Sequence, residues 1–381
     1  MDLQNYREQI DGIDDELLRL FKERMDVSHQ IALYKKEHSL SALDAARERE
    51  KLADIGEKAG EEMRTYAFIL YNTLFELSRT HQGSILNAES KLNRTIAVAL
   101  EHTKQIFPQH AQVACQGIEG AYSQLACDRL FAEPNIMYFT SFEGVFSAIR
   151  DGLCQYGILP LENSTAGSVN AVYDLMMRYH FKIARSVRLK IDHNLLVKAG
   201  VKKDDIREIY SHEQAIQQCA GYLKEFGKNV KVTVVANTAE AAKMIAESDR
   251  NDVAALASRS CCELYGLKCL DKSVQDRGNN YARFICISKE LEIYPGADRT
   301  SIMLTTAHKP GALYKVLGWI HTLGVNIVKL ESRPIPDRDF EFMFYFDLET
   351  SVYAQQFSQL MCELENMCEE FHYLGSYTEI V

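Results

Sequence analysis

Between residues 2 and 36 the apolar side chains fall at Leu3, Tyr6, Ile10, Ile13, Leu17, Leu20, Val27, Ile31 and Tyr34, in steps that alternate between three and four. That period predicts one long helix, because the stretch holds no proline and its sole glycine is Gly12. The step from Leu20 to Val27 skips one seam position, and Arg24 stands there. Further helical periods over about 42–58 and 62–81, with Gly56, Gly60 and Gly83 as breaks, complete an all-α unit.

From Gln112 the period changes. Short apolar runs at Val113-Ala114-Cys115, Ile136–Phe139, Tyr156–Leu159, Val232–Val235, Val253–Leu256 and Phe284–Ile287 alternate with helical segments, which predicts an α/β domain. Over the last eighty or so residues the order strand, helix, strand, strand, helix, strand predicts an α+β ferredoxin-like βαββαβ unit. The expected division is a helical unit over 1–88, a linker over 89–110, an α/β unit over 111–290 and a C-terminal unit over 299–381.

Composition narrows the function. A net charge of −10 with no Lys/Arg-rich run argues against nucleic acid and against an anionic membrane surface. It also means that a site for a small anion has to be built from a few local cations. The ten cysteines show neither metal-ligand spacing nor a secreted disulfide framework, so they read as reduced thiols. With no apolar leader at Met1-Asp2-Leu3-Gln4 and no membrane-spanning run, the expected location is cytoplasmic.

On the long helix, Arg24 and Lys35 lie about 20° apart in azimuth and about 16 Å apart along the axis, so both can flank one small ligand. Arg7 is about 100° and about 25 Å from Arg24, out of reach of the same ligand unless an antiparallel partner helix brings in a second copy. The seam position also suits an arginine that snorkels its head to solvent.

Tyr6-Arg7, Glu23-Arg24, Lys35, the run Asp44–Glu50, Ser78 and Gln82 resemble the signature of the all-helical chorismate mutases. The resemblance implies an intertwined three-helix dimer that rearranges chorismate to prephenate. It assigns Arg7 (from the partner chain), Arg24 and Arg47 to substrate carboxylates, Lys35 and Gln82 to the ether oxygen, and Asp44, Glu48 and Ser78 to hydroxyl or supporting contacts.

Gly117–Ser123, Glu162–Gly167, Ser211–Gln214 with Gln217-Gln218-Cys219, and Asn280–Phe284 are similar, in order and spacing, to prephenate dehydratase. The resemblance implies two α/β lobes with the site between them, lined by Glu162, Asn163, Ser164, Thr165, Ser211 and Gln218. Arg283 would bind a substrate carboxylate, and His212 would be structural. The family hallmark Thr-Arg-Phe reads Ala282-Arg283-Phe284 here, which predicts a weakened or silent dehydratase.

Lys309–Leu313 and Glu331-Ser332-Arg333-Pro334 are similar to the effector-binding ACT domain of phenylalanine-regulated dehydratases. Phenylalanine would then contact Gly311, Ala312 and Leu313, with Glu331 and Ser332 nearby, at an interface between two copies. The expected whole is a bifunctional chorismate mutase/prephenate dehydratase under feedback control, a dimer or a tetramer, that needs no metal or organic cofactor. Two other readings stay open: a mutase fused to a silent prephenate-binding regulator, and a non-enzymatic amino-acid sensor whose helices serve to dimerise it.

Overall fold

The computed structural model describes residues 2–38, 40, 44–86, 90–336, 338 and 341–381. The chain forms two compact units, Met1–Val98 with Ala354–Cys368, and Ala99–Tyr353 with Glu369–Val381.

The first unit is helical. Helix α1 runs Leu3–Glu37 as the seam predicts, with Lys35 and Lys36 in its last turn, where cations suit the negative end of the helix dipole. Its buried residues are Ser28 and Ala32, whereas Leu3, Ile10, Ile13 and Leu17 are all more than half exposed. Helix α2, Ala45–Leu86, is broken at Gly60 (φ 69°, ψ 169°), which separates the two segments expected from the sequence. Gly56 and Gly83 are not breaks. Gly56 lies within the helix where a Cβ would meet the Phe68 ring at 2.9 Å, so its role is close packing across the Gly60 turn.

Residues 89–110 are not a plain linker, because helix α3 occupies Lys91–His102. Ile96 and Ala99 bury one side of it, and Ser90 Oγ accepts from Asn93 N at 3.0 Å at its start. The Phe357–Met367 helix belongs to this helical unit, so residues 299–381 do not form a separate compact body. Asn93 Nδ2 donates to Ser358 Oγ at 2.5 Å, and the helix buries Glu363 with Oε1 unpartnered.

The second unit holds three sheets. In the first, the strand order from one edge is Glu379–Ile380, Lys182–Lys190, Tyr281–Ser288, Tyr156–Asn163, His110–Gln116 and Glu133–Phe139, with Gly167–Ser168 paired to Tyr156–Asn163. The second is Lys268–Asp271, Asn194–Val197, Val253–Ala257, Glu208–Ser211 and Lys231–Val234. The chain crosses between these lobes at residues 190–194 and 271–281, and the strand ends at those crossings frame a cleft.

The third sheet is antiparallel, ordered Asn326–Pro334, Phe342–Glu349, Arg299–Thr305 and Glu370–Tyr377, the order expected of a βαββαβ unit. Its Glu370–Tyr377 strand lies so close to Lys182–Lys190 that a Cβ on Gly375 (φ 143°) would sit 2.5 Å from Ile183 O. Glycine is required there. Among the described residues no helix is long and apolar enough to cross a membrane.

A buried ion cluster ties this sheet to the first. Arg283 is 5% exposed and pairs with the fully buried Asp347, while its Nε lies 2.8 Å from Glu162 Oε1. Asp347 also accepts from Ser301 Oγ and, at 2.5 Å, from Tyr345 Oη. Burial opposes the guanidinium's charge, but Asp347, Tyr377, Tyr345 and Glu162 outweigh it and hold its pKa above the ordinary value.

Asp347→Asn leaves Arg283 undercompensated and should destabilise the second unit by about 3–5 kcal/mol, read as a lowered denaturant midpoint. The double change Arg283→Met with Asp347→Leu should recover most of that loss; recovery of nothing would show that the charges are not the cause.

Burial pushes the Glu363 carboxyl up to about 7, with Arg79 pulling the other way. The folded state therefore keeps a proton that the unfolded chain releases near 4.5, so stability is fully present below that pH and falls as pH rises to about 7. Glu363→Gln should abolish this slope and stabilise the helical unit at pH 8 by on the order of 3 kcal/mol, measured by melting at pH 4 and pH 8.

Candidate active sites

In the helical unit, Arg24 reaches from α1 to the last turns of α2, donating to Leu74 O at 3.1 Å and to Ser78 Oγ. Its guanidinium stands 5.9 Å from the centre of the Phe75 ring. Burial lowers its pKa, against a smaller opposing pull from Tyr71, and it remains a cation at any physiological pH. Three turns on, Lys35 Nζ donates to Gln82 Oε1 at 3.1 Å, and Gln82 Nε2 donates to Ser28 Oγ at 3.1 Å. Ser28 Oγ in turn donates to Ser78 O at 3.3 Å.

Arg24, Lys35, Ser78 and Gln82 thus belong to one hydrogen-bonded cluster between α1 and α2 that carries two cations. Glu48 accepts from Arg79. Asp44 Oδ1 accepts from Arg47 N at 3.0 Å, an N-terminal contact of α2, while Arg47 pairs with Glu50 at 2.6 Å on the exposed surface. Within one chain these two stand apart from the cluster, and Arg7 is exposed near the far end of α1. Sequence reasoning missed Ser28 and Arg79. The signal for Ser28 is its place one helical turn from Arg24, a second polar residue on the seam.

The cleft of the second unit contains a cavity of about 410 Å³ whose wall includes Thr165, Gln214, Gln218, Arg277 and Asn280. At its back is a closed ring of hydrogen bonds. Asn163 Nδ2 donates to Asn280 Oδ1 (2.8 Å), Asn280 Nδ2 to Gln218 Oε1 (2.9 Å), Gln218 Nε2 to Thr165 Oγ1 (2.7 Å), and Thr165 Oγ1 back to Asn163 Oδ1 (2.7 Å). All four bonds run in one sense, so each polarises the next.

His193 joins from the side, Nε2 lying 2.9 Å from Gln218 Oε1. Burial lowers its pKa, and Nδ1 is buried without a partner, so the neutral ring with its proton on Nε2 fits this site. Ser164 Oγ donates to Asn279 O at 3.1 Å and accepts from Tyr281 N at 2.9 Å, pinning the turn to the returning strand.

Three expected site residues lie elsewhere. Ser211 is fully buried and donates to Leu256 O at 2.7 Å, inside the second lobe. Arg283 does not face the cleft: alternation along Tyr281–Ser288 turns it toward Asp347, where its charge is already neutralised. Glu162 points the same way, to Arg283 and to Lys329 Nζ at 3.1 Å. Ala282 stands directly opposite the ring residue Asn163 in strand register and so shares its face of the sheet, where the apolar core of Phe284 and Cys286 meets the ring. His212 caps the Glu213–Gln218 helix, its ring accepting from Gln214 N at 3.3 Å. Sequence reasoning missed Arg277, an exposed cation at the cavity wall, and His193.

In the C-terminal sheet, Gly311 (φ 82°) turns the chain into the Ala312–Thr322 helix. Glu331 and Ser332 do not act together: Glu331 accepts from Ser168 Oγ on the first lobe, and Ser332 is exposed on the opposite face of the strand.

The family model for prephenate dehydratase matches residues 113–292, and that for chorismate mutase type II matches residues 6–83. The chain is 34% identical over 278 residues to arogenate dehydratase/prephenate dehydratase 2 of Arabidopsis thaliana, covering 70% of this chain and 72% of that one. It is 28% identical over 382 residues to the bifunctional chorismate mutase/prephenate dehydratase of Escherichia coli, covering 97% and 95%. Among solved structures, a prephenate dehydratase from Arthrobacter aurescens in complex with L-Phe aligns with a TM-score of 0.64 at 26% identity, covering 70% of this chain and 90% of that one. A mutase domain and a dehydratase domain in one polypeptide, matched nearly end to end by a bifunctional relative, place the chain in the bifunctional chorismate mutase/prephenate dehydratase family.

Proposed function

We propose that the helical unit rearranges chorismate to prephenate, that the two-lobed cleft converts prephenate to phenylpyruvate, and that phenylalanine regulates this cytoplasmic homo-oligomer. The observation that carries the reading is the set Arg24, Lys35, Ser78 and Gln82 joined in one hydrogen-bonded cluster between α1 and α2. A pericyclic rearrangement needs no nucleophile, so fixed cations and donors suffice to hold the dicarboxylate in its compact conformer and to stabilise charge on the breaking ether oxygen. Arg24 is placed for a carboxylate, and Lys35 with Gln82 for the ether oxygen.

The exposed apolar seam of α1 supports a second copy as its cover. Laid antiparallel, that copy would deliver its own Arg7 to the cluster. Val328 and Leu330, exposed on the edge strand Asn326–Pro334, offer another self-contact, so a tetramer is as compatible as a dimer.

In the cleft, prephenate would lose its ring carboxylate as carbon dioxide while the ring hydroxyl departs as water, having taken up a proton. The neutral ring of Asn163, Asn280, Gln218 and Thr165 supports orientation of that hydroxyl, and Arg277 suits the remaining carboxylate. Position 282, next to Asn163 in register, supplies a methyl group and no hydroxyl. The C-terminal unit is proposed as an ACT domain: the turn at Gly311 exposes the N-terminal amides of an eleven-residue helix to an amino-acid carboxylate, and the A. aurescens relative was solved with L-Phe.

Given chorismate, the purified chain should consume it and accumulate prephenate with slow phenylpyruvate release; Ala282→Thr should speed that release about a hundredfold and leave chorismate loss unchanged. An unchanged rate would show that the missing hydroxyl is not what limits the cleft, and no chorismate loss would overturn the mutase. Arg7→Ala and Arg24→Ala should each abolish mutase activity alone, yet mixing the two after subunit exchange should restore about a quarter of it, since half the dimers are mixed and each carries one intact site. No recovery would place Arg7 outside a shared site.

A further inference from the structure

We infer that Lys329, on the C-terminal sheet, is a positioning residue of the dehydratase cleft, dividing its ammonium between Glu162 under the Asn163–Ala166 turn and Glu331 of the effector motif. The inference rests on the dehydratase reading above and goes beyond it in naming the joint through which the two motifs meet.

Lys329 Nζ lies 3.1 Å from Glu162 Oε2 and 3.4 Å from Glu331 Oε2, and it donates to Ser168 Oγ at 2.7 Å. Ser168 Oγ itself donates to Glu331. Three partners saturate the three N–H bonds of an ammonium, and Lys329 is 19% exposed, so water contributes little. Glu162 and Ser168 face each other on paired strands, and the turn between them carries Asn163 and Thr165, half of the hydrogen-bonded ring in the cleft. Two cations therefore hold the base of that turn at Glu162, Arg283 from the lobe's own strand and Lys329 from the C-terminal sheet.

Strand alternation places residues 329, 331 and 333 on the same side of Asn326–Pro334. Arg333 holds Asp174 at 2.9 and 3.1 Å on the Asn170–Tyr179 helix that follows the turn, so the strand clasps both ends of the segment. A small movement of this strand changes how the ammonium is shared. More of it on Glu331 means less on Glu162, and Glu162 is covalently next to Asn163. Removing the cation would leave two carboxylates facing each other and drive the turn from the strand.

The test titrates the full chain with prephenate by calorimetry, with and without phenylalanine, for the wild type, Lys329→Met and Lys329→Arg, each carrying Arg24→Ala so that the mutase site does not take up prephenate. The wild type should bind prephenate several-fold more weakly when phenylalanine is present. Lys329→Met should bind prephenate about tenfold more weakly, still bind phenylalanine, and show a coupling ratio near one; Lys329→Arg should keep most of the wild-type coupling. Unimpaired chorismate turnover by the same Lys329 variants with Arg24 intact shows that they are folded. Wild-type coupling in Lys329→Met, or equal loss in Met and Arg, overturns the inference. Absence of any prephenate binding by the wild type would instead overturn the dehydratase reading on which it stands.

Discussion

A guanidinium with 5% of its surface exposed cannot stay charged in a protein interior without a partner, and Arg283 cannot stay neutral. Asp347 meets that requirement from another sheet, and two tyrosines and a serine hydrogen-bond or face the carboxylate in turn. Glu162 supplies one partner from the lobe itself, and the C-terminal sheet supplies the other, so the strand that forms the floor of the dehydratase lobe is fully compensated only with that sheet in place. Docking of the sheet thus contributes to the lobe's own fold. The neighbouring Ala282 shows the other side of the bargain, since its face of the strand is left to the first lobe's apolar core.

Element types were legible in the sequence wherever one period persisted. The seam of α1, the helix break at Gly60 and the βαββαβ order follow from spacing and glycine position. Helix α3 was missed because its buried side is short, Ile96 and Ala99, and sits where the larger units leave off. In the sites, motif membership proved a poor guide to direction. Consecutive residues of a strand point to opposite faces, so Ala282 and Arg283, like Glu331 and Ser332, cannot serve one ligand through their side chains. Ser211 was misplaced for a related reason, its hydroxyl being spent on a backbone carbonyl.

The family resemblance named Asn163, Thr165 and Gln218 for the cleft, whereas the closed ring they form with Asn280 was illegible for another reason. Its members are amides and a hydroxyl that come together only after the lobes have folded, and no charge or spacing marks them as each other's partners. Their neutrality suits a protein of net charge −10, because an uncharged cradle does not add to a field that already repels a dianionic substrate. The cations at the two candidate sites are few and local: Arg24 and Lys35 in one unit, Arg277 in the other.

The strand Glu379–Ile380 lies at the edge of the first sheet, parallel to Lys182–Lys190, with Glu379 paired to Arg188 at 2.9 Å. It pairs with a strand about 190 residues earlier in the sequence, a non-local contact of the kind that makes closure slow. During synthesis the first lobe emerges with an open edge and with Arg283 paired to Glu162 alone, and it waits for the C-terminal segment to leave the ribosome before Asp347 and the edge strand complete it. The dehydratase lobe and the C-terminal sheet therefore reach their native form in the same event.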